Sequence, residues 1–186
     1  PSLDGFNTYV ISEAVRGAGV TVALSGQGGD EVFAGYSTFR DVFRSSRWRK
    51  STPVPTSMLR LAGKVLAIAE RNFRVLPSKM CEALSSDGDN LSTYFLLRQL
   101  FPRSTRRELF PARGQEAVFD ALSLEAWQSL REESSSLDVV NLVSLLETRT
   151  YLANLLLGDG DVMSMAHSLE IRVPFLDRRL YELVAR

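Results

Sequence analysis

The stretch Val20-Thr-Val-Ala-Leu-Ser-Gly-Gln-Gly-Gly-Asp-Glu-Val-Phe-Ala-Gly-Tyr36 constrains the fold more than any other. A short apolar run empties there into a glycine-rich turn that opens on two adjacent carboxylates. Val20 to Leu24 reads as a fully buried strand, Ser25 to Gly29 as a turn whose backbone a ligand can approach closely, and Asp30 onward as a helix start. A strand buried on both faces is the mark of a parallel sheet, so the pattern predicts an α/β parent fold. Open α/β sheets bind nucleotides where a strand ends in such a turn.

Unpaired N–H groups in a glycine-rich turn, backed by the positive end of a helix dipole, attract anions such as phosphate. Asp30 and Glu31 would repel the same anion. A hard cation resolves the conflict, because Mg²⁺ is held by one or two carboxylates together with phosphate oxygens. The second reading is that both acids simply favour a first helical turn, worth about 0.3–1 kcal/mol each. Residue chemistry alone leaves both open. The glycine spacing fits neither the dinucleotide fingerprint nor the Walker loop. Two further acidic stretches, Ser86 to Asn90 and the one beginning at Asp159, lack the glycine that a calcium loop needs at its sixth position, so turn chemistry accounts for them.

The segment Ser25 to Tyr36 resembles the S-G-x-G-G-D-E-x-F-x-G-Y signature of the synthase domain of asparagine synthetases. Far downstream, Asp161-Val-Met-Ser-Met-Ala-His-Ser-Leu-Glu-Ile-Arg-Val-Pro-Phe-Leu-Asp177 is similar to that family's D-x-x-S-M-A-x-x-x-E-x-R-x-P-F-L-D segment. The opening Asp4-Gly-Phe-Asn-Thr-Tyr9 is similar to many bacterial members. Roughly Ser46 to Ser135 carries no signature, so the resemblance rests on the two ends.

The resemblance implies a parent fold of the adenine-nucleotide alpha-hydrolase type with a parallel sheet, and an ATP-dependent, amide-forming ligase. Such an enzyme adenylates a carboxylate, aspartate in the type reaction, and amidates it with ammonia from glutamine. ATP and Mg²⁺ are the implied cofactors. Ser25, Gly26, Gln27, Gly28 and Gly29 would form the nucleotide turn, with Asp30 and Glu31 as magnesium or pyrophosphate contacts. Asp161 and Ser164 would lie near phosphates, and Gln27, Glu170 and Arg172 are the candidate catalytic positions. Glu170 and Arg172 also stand two apart in an extended segment, where they share a face and can form a structural ion pair. Many members carry an acid where this chain has Gln27 and a base where it has Val162. Those departures leave open a ligase that amidates or cyclises a peptide or modified amino acid. A catalytically silent helical interaction module is the reading from another class.

The family also carries an N-terminal glutaminase domain and, on an earlier strand, an S-G-G-x-D-S pyrophosphate loop. Neither is in residues 1–186. Val20 to Leu24 has no equally good strand partner in the sequence, and a lone parallel-type strand leaves its ladder unsatisfied. Both points predict a C-terminal portion of a synthase domain, inactive by itself. An exposed strand edge would invite pairing with a second copy as a homodimer.

Twenty-two basic and twenty-two acidic side chains cancel, which argues against a nucleic-acid or anionic-membrane surface. The run Arg44, Arg47, Arg49 and Lys50 reads as a solvated helix end. Cys81, the chain's one cysteine, excludes an internal disulfide and fits a reducing, cytoplasmic compartment. It reads as an apolar filler, and His167 as a packed or solvent-facing histidine.

Helical spacing covers Phe6 to Gly17, Glu31 to Arg47, Thr56 to Glu70, Ser78 to Leu84, Asn90 to Leu100, Ser104 to Phe110 and Ser123 to Glu133. The strongest helix is Leu137 to Leu157, with Gly158 as its stop and Asp159-Gly160-Asp161 as a turn before a short helix at Val162 to Ser168. Glu170 to Phe175 is then extended, and Asp177 caps a final helix from Arg178 to Ala185. The fragment is thus predicted to be predominantly helical with one clear buried strand.

Overall fold

The computed structural model describes residues 2–73, 82–84, 86, 88–101, 105, 109 and 124–184. The predicted helices at Ser78 to Leu84 and Ser104 to Phe110 lie largely outside these residues, as does Cys81. The described chain is predominantly helical with a two-strand parallel sheet. It divides into two compact units, residues 1–37 with 143–186, and residues 38–142.

The first unit begins with α1, Leu3–Gly17, which starts because Ser2 Oγ accepts the Gly5 N–H at 3.0 Å. It stops at Gly17-Ala18-Gly19, where Gly19 takes φ +84 and its N–H returns to the Arg16 carbonyl. Strand β1, Val22–Leu24, follows and pairs in parallel with β2, Glu170–Arg172, in the register Val22 to Glu170 and Leu24 to Arg172. Two expectations are corrected here. The strand has a partner, which a run of only three residues with charged ends had concealed. It is also not buried: Val22 is 41% and Leu24 76% exposed, because the face of this narrow sheet that carries them is not covered by the described residues, while Ala23 and Ile171 on the other face are half-buried.

The helix expected from Glu31 to Arg47 is broken in two. The short α2, Gly29–Val32, ends at Phe33, Ala34 adopts φ +58, and α3, Ser37–Ser51, starts afresh. Downstream, α7 (Val139–Glu147), a π-helical segment (Thr148–Leu156) and α8 (Leu157–Met165) follow without a gap. Gly158 therefore does not end the helix, and Asp159, Gly160 and Asp161 belong to α8 rather than to a turn. The π segment ends at Leu156, and an α-helix resumes at Leu157 and runs through Gly158. After β2, a 3₁₀ turn (Pro174–Leu176) leads to α9, Arg178–Val184, which Asp177 caps through the N–H groups of Arg179 and Leu180 at 2.9 and 3.3 Å. Leu146, Leu152 and Leu169 are fully buried in this unit.

The second unit holds most of α3, then α4 (Thr56–Phe73), α5 (Asn90–Arg98) and α6 (Leu124–Ser134). Phe39 and Val42 of α3, Leu91 and Tyr94 of α5 and Leu130 of α6 are buried at helical spacing. Asp89 caps α5 through the Ser92 N–H at 2.7 Å and pairs with Arg131 at 2.6 Å. Arg49, expected in a solvated helix end, instead donates to the Ala83 carbonyl at 2.7 Å. No described helix is long and apolar enough to cross a membrane.

Candidate functional site

The turn Ser25–Gly29 is built where the sheet ends. The Ser25 N–H extends the ladder to the Arg172 carbonyl at 2.8 Å, so the first motif begins on the backbone of the second. The turn closes on itself through Gly29 N–H to the Gly26 carbonyl at 3.0 Å and Gln27 N–H to Ser25 Oγ at 3.2 Å. Gly28 sits at φ +89, a conformation that favours glycine, and a Cβ there would run into the Leu176 side chain. The face of Gly29 lies on the Phe175 ring, and Phe33 meets the same ring edge-on at 5.9 Å. On another side, Gln27 Nε2 donates to the Leu156 carbonyl at 3.2 Å, and its amide occupies the space a Cβ on Gly160 would need. The turn of the first motif is therefore held from two directions, by Leu156 and Gly160 just ahead of the second motif and by Phe175 and Leu176 within it.

The two carboxylates part company. Asp30 is exposed, and its carboxylate folds over Gly35, where no Cβ would fit. Glu31 is 1% exposed and accepts the Tyr36 hydroxyl at 2.8 Å. Burial, reinforced by the hydrogen bond and charge of Glu31, pushes the Tyr36 phenol far above its ordinary 10.0. Tyr36 meets Tyr151 edge-on at 6.1 Å, and Tyr151 donates to Asp4 at 2.9 Å. The spacing D-E-x-x-x-G-Y is thereby explained: Gly35 makes room for Asp30, and Tyr36 satisfies Glu31.

In the second motif, Glu170 and Arg172 form the ion pair expected of their spacing, at 2.7 Å with both side chains more than half exposed. Ser164 is buried and donates to the Asp161 carbonyl at 3.2 Å, while Asp161 is exposed. Asp159 accepts from Ser2 Oγ at 2.5 Å and from the Ser2 N–H at 3.2 Å, bonds that hold its carboxyl below the usual carboxylate range. It ties α8 to the start of α1 and fills the space beside Gly5. His167 packs against Tyr9, with ring centroids 4.3 Å apart, as a packed histidine would.

The nucleotide and ion implied by the motifs can be tested against the donors present. A Cβ on Gly26 would meet nothing within 4 Å, so that side of the turn is open. The N–H groups of Gly26 and Gly28 donate to no other group among the described residues. Among the described residues no cluster of three or more His, Cys, Asp or Glu side chains forms a metal cage. That donor set fits a phosphate whose cation is held by a single exposed carboxylate and the phosphate itself.

The sequence reading missed the parts played by Gly160 and Tyr36. In the turn expected at Asp159-Gly160-Asp161 a glycine is ordinary, and only its place inside α8, where it costs about 0.5–1 kcal/mol relative to alanine, marks it. Tyr36 was quoted in the motif, but nothing in its spacing showed that Glu31 turns inward.

The profile of the asparagine synthase family matches residues 3–186. Asparagine synthetase [glutamine-hydrolyzing] 1 of Bacillus subtilis is 27% identical over 96% of this chain and 26% of its own length. The putative asparagine synthetase of Mycobacterium bovis is 27% identical over 90% of the chain and 24% of its own length. Amidase chry2 of Gibberella zeae is 24% identical over 99% and 28%. The chain thus spans about a quarter of the length of the curated relatives it matches. No solved structure matches it. With a family profile aligned over nearly every residue, and its two motifs folded against each other around one turn, the chain belongs to the asparagine synthase family.

Proposed function

We propose that this chain forms part of the nucleotide site of an ATP-dependent, amide-forming ligase of the asparagine synthetase kind. The observation that carries the proposal is the open glycine turn at Gly26, held by the second motif at Arg172, Phe175 and Leu176 and by the Leu156 carbonyl. ATP would activate a carboxylate, magnesium would neutralise the departing pyrophosphate, and ammonia would complete the amide with release of AMP. The chain's own part is positioning and charge stabilisation. Gly26 and Gly28 offer N–H donors to a phosphate, with Ser25 and Gly29 shaping the turn. Asp30 is the exposed candidate for the cation. Glu31 accepts the Tyr36 hydroxyl through one oxygen and is buried, so it would meet a cation only through its second oxygen and from within the fold. Asp161 stands exposed near the start of the second motif, and Ser164 supports it from within the helix. Glu170 and Arg172, paired and exposed, are candidates to meet the acyl substrate. In this reading residues 1–186 are the C-terminal portion of a synthase domain and turn nothing over by themselves.

A second reading keeps the same chemistry with a peptide or modified amino acid as carboxylate. It is favoured by Gln27, where many family members carry an acid, and by the similarity to proteins named amidases. ATP/pyrophosphate exchange by the longest natural polypeptide carrying this chain decides between them. Exchange that requires aspartate supports the synthetase. Exchange that ignores aspartate but needs another carboxylate supports the second reading. No Mg-ATP binding at all sinks both and leaves the interaction module.

A further inference from the structure

We propose that Gln27 is a positioning residue that locks the nucleotide turn to the π-helical segment, and that Gly160 is retained to admit it. The proposal rests on the nucleotide-site reading above and deepens it. The last residue of the π segment is Leu156, whose carbonyl receives Gln27 Nε2 at 3.2 Å. One turn further on, an ideal Cβ at Gly160 would sit 2.9 Å from Nε2 and 3.1 Å from Oε1 of the same side chain. Gly160 is buried and lies in the interior of α8, where alanine would be the better helix former. Its companion Gly158 meets nothing within 4 Å, so of the two only Gly160 faces Gln27, and a methyl there would have to displace the amide from its place.

Amide chemistry fixes why the residue is glutamine. A carbonyl needs a donor, and an ionised glutamate has none to give. A carboxylate at position 27 would face the Leu156 oxygen with its own, and the turn would have to move away. Gln27 supplies an N–H at every pH, so this chain exchanges a titratable group for a permanent clamp. The turn is then held from below by β2 through Ser25, from one side by Phe175 and Leu176, and from the other by the clamp. Loss of the clamp leaves the turn to its own closing bonds, Gly29 to Gly26 and Gln27 to Ser25, which then open more often.

The test is a double-mutant cycle of Gln27→Ala and Gly160→Ala in the longest natural polypeptide carrying this chain, read by Mg-ATP affinity and by hydrogen exchange at Gly29, whose N–H closes the turn. Each single variant is expected to weaken Mg-ATP roughly threefold to tenfold, what one neutral hydrogen bond is worth, and to speed exchange of that amide. In the Gln27→Ala background, Gly160→Ala should add nothing, because the amide it displaces is gone. Gln27→Glu adds a pH readout: its affinity relative to the wild type should recover as the pH falls and the protonated acid regains a donor for Leu156. A purely structural Gln27 would lower stability without that recovery. Additive single effects, or a Gly160→Ala variant with wild-type affinity and exchange, overturn the proposal. If the wild type binds no Mg-ATP, the nucleotide reading fails by itself, and the exchange arm still decides whether the clamp exists.

Discussion

Residues 38–142 and the unit formed by residues 1–37 with 143–186 are both mainly helical, yet different physics restricts what each position can hold. In the former, Phe39, Val42, Leu91, Tyr94 and Leu130 are buried side chains whose job is to fill volume. Apolar exchanges of similar size in such places cost less than about 1.5 kcal/mol. The latter has a filled interior too, but around Ser25–Tyr36 the limits come from backbone approach and polar pairing: Gly28 under Leu176, Gly35 under Asp30, Gly160 under Gln27, Glu31 under Tyr36. Filling restricts size, whereas close approach restricts identity. This is why the recognisable motifs sit in one unit and the stretch from Ser46 to Ser135 carries none.

The largest effect should come from the filled interior. Leu91→Ala is expected to lower stability by about 2–5 kcal/mol in urea denaturation, the range for emptying a buried leucine site. Leu91→Met should cost less than about 1.5 kcal/mol. A methionine variant as damaged as the alanine one would show that residues 38–142 are restricted by shape as tightly as the turn, and the contrast would collapse.

The turn offers its own internal contrast. Gly28→Ala must hold a Cβ at φ +89, which costs about 1–2 kcal/mol, and must also push Leu176 aside. Gly26→Ala adds its methyl to open space, so stability should barely change while Mg-ATP affinity falls if a phosphate occupies that side. Equal destabilisation by both alanines in thermal unfolding would contradict the described turn.

Tyr36→Phe separates polar pairing from filling, because the ring stays and only the hydroxyl goes. Glu31 keeps its burial but loses that donor, at a cost of about 1.5–3 kcal/mol for a hydrogen bond to a charged group. The pH dependence has a definite sign. Folded Tyr36 titrates above its ordinary 10.0, so the folded state holds its proton longer than the unfolded one. Its contribution is whole below pH 10.0 and declines as the pH rises past that point. Wild-type stability should therefore fall more steeply than that of Tyr36→Phe in alkaline denaturation. Parallel curves would mean that the Tyr36–Glu31 bond does not form.

These contrasts also explain what could be read in advance. Most helices were legible, since α1, α4, α5 and α6 follow apolar spacing, caps and proline breaks that act locally. The convergence of the two motifs was legible only through family resemblance. What stayed hidden was set by partners distant in sequence. Leu24 read as buried because apolar runs usually are, and only the narrow sheet leaves it open. Gly158 reads as a stop because glycine commonly ends helices, but the helix Leu157–Met165 carries the backbone through it. That Glu31 turns inward to accept the Tyr36 hydroxyl was set by a side chain five residues on, which spacing alone does not show.

The smallest effect on stability should be the most telling about function. Glu170 and Arg172 pair at 2.7 Å on the exposed face of β2, and exposed pairs of this kind contribute about 0.2–1 kcal/mol. Arg172→Ala should therefore unfold almost like the wild type. If the pair is only structural, activity of the longest natural polypeptide carrying this chain should be equally indifferent. The nucleotide-site reading requires the opposite, a loss of turnover far larger than the loss of stability. Swapping the charges, Glu170→Arg with Arg172→Glu, sharpens the distinction. The exchanged pair can still form across the same two positions, so stability should return to the wild-type value. A substrate that met each group in its own place would find them reversed, and turnover would stay low. Recovery of turnover along with stability would remove both residues from the site and return them to the surface of an ordinary strand.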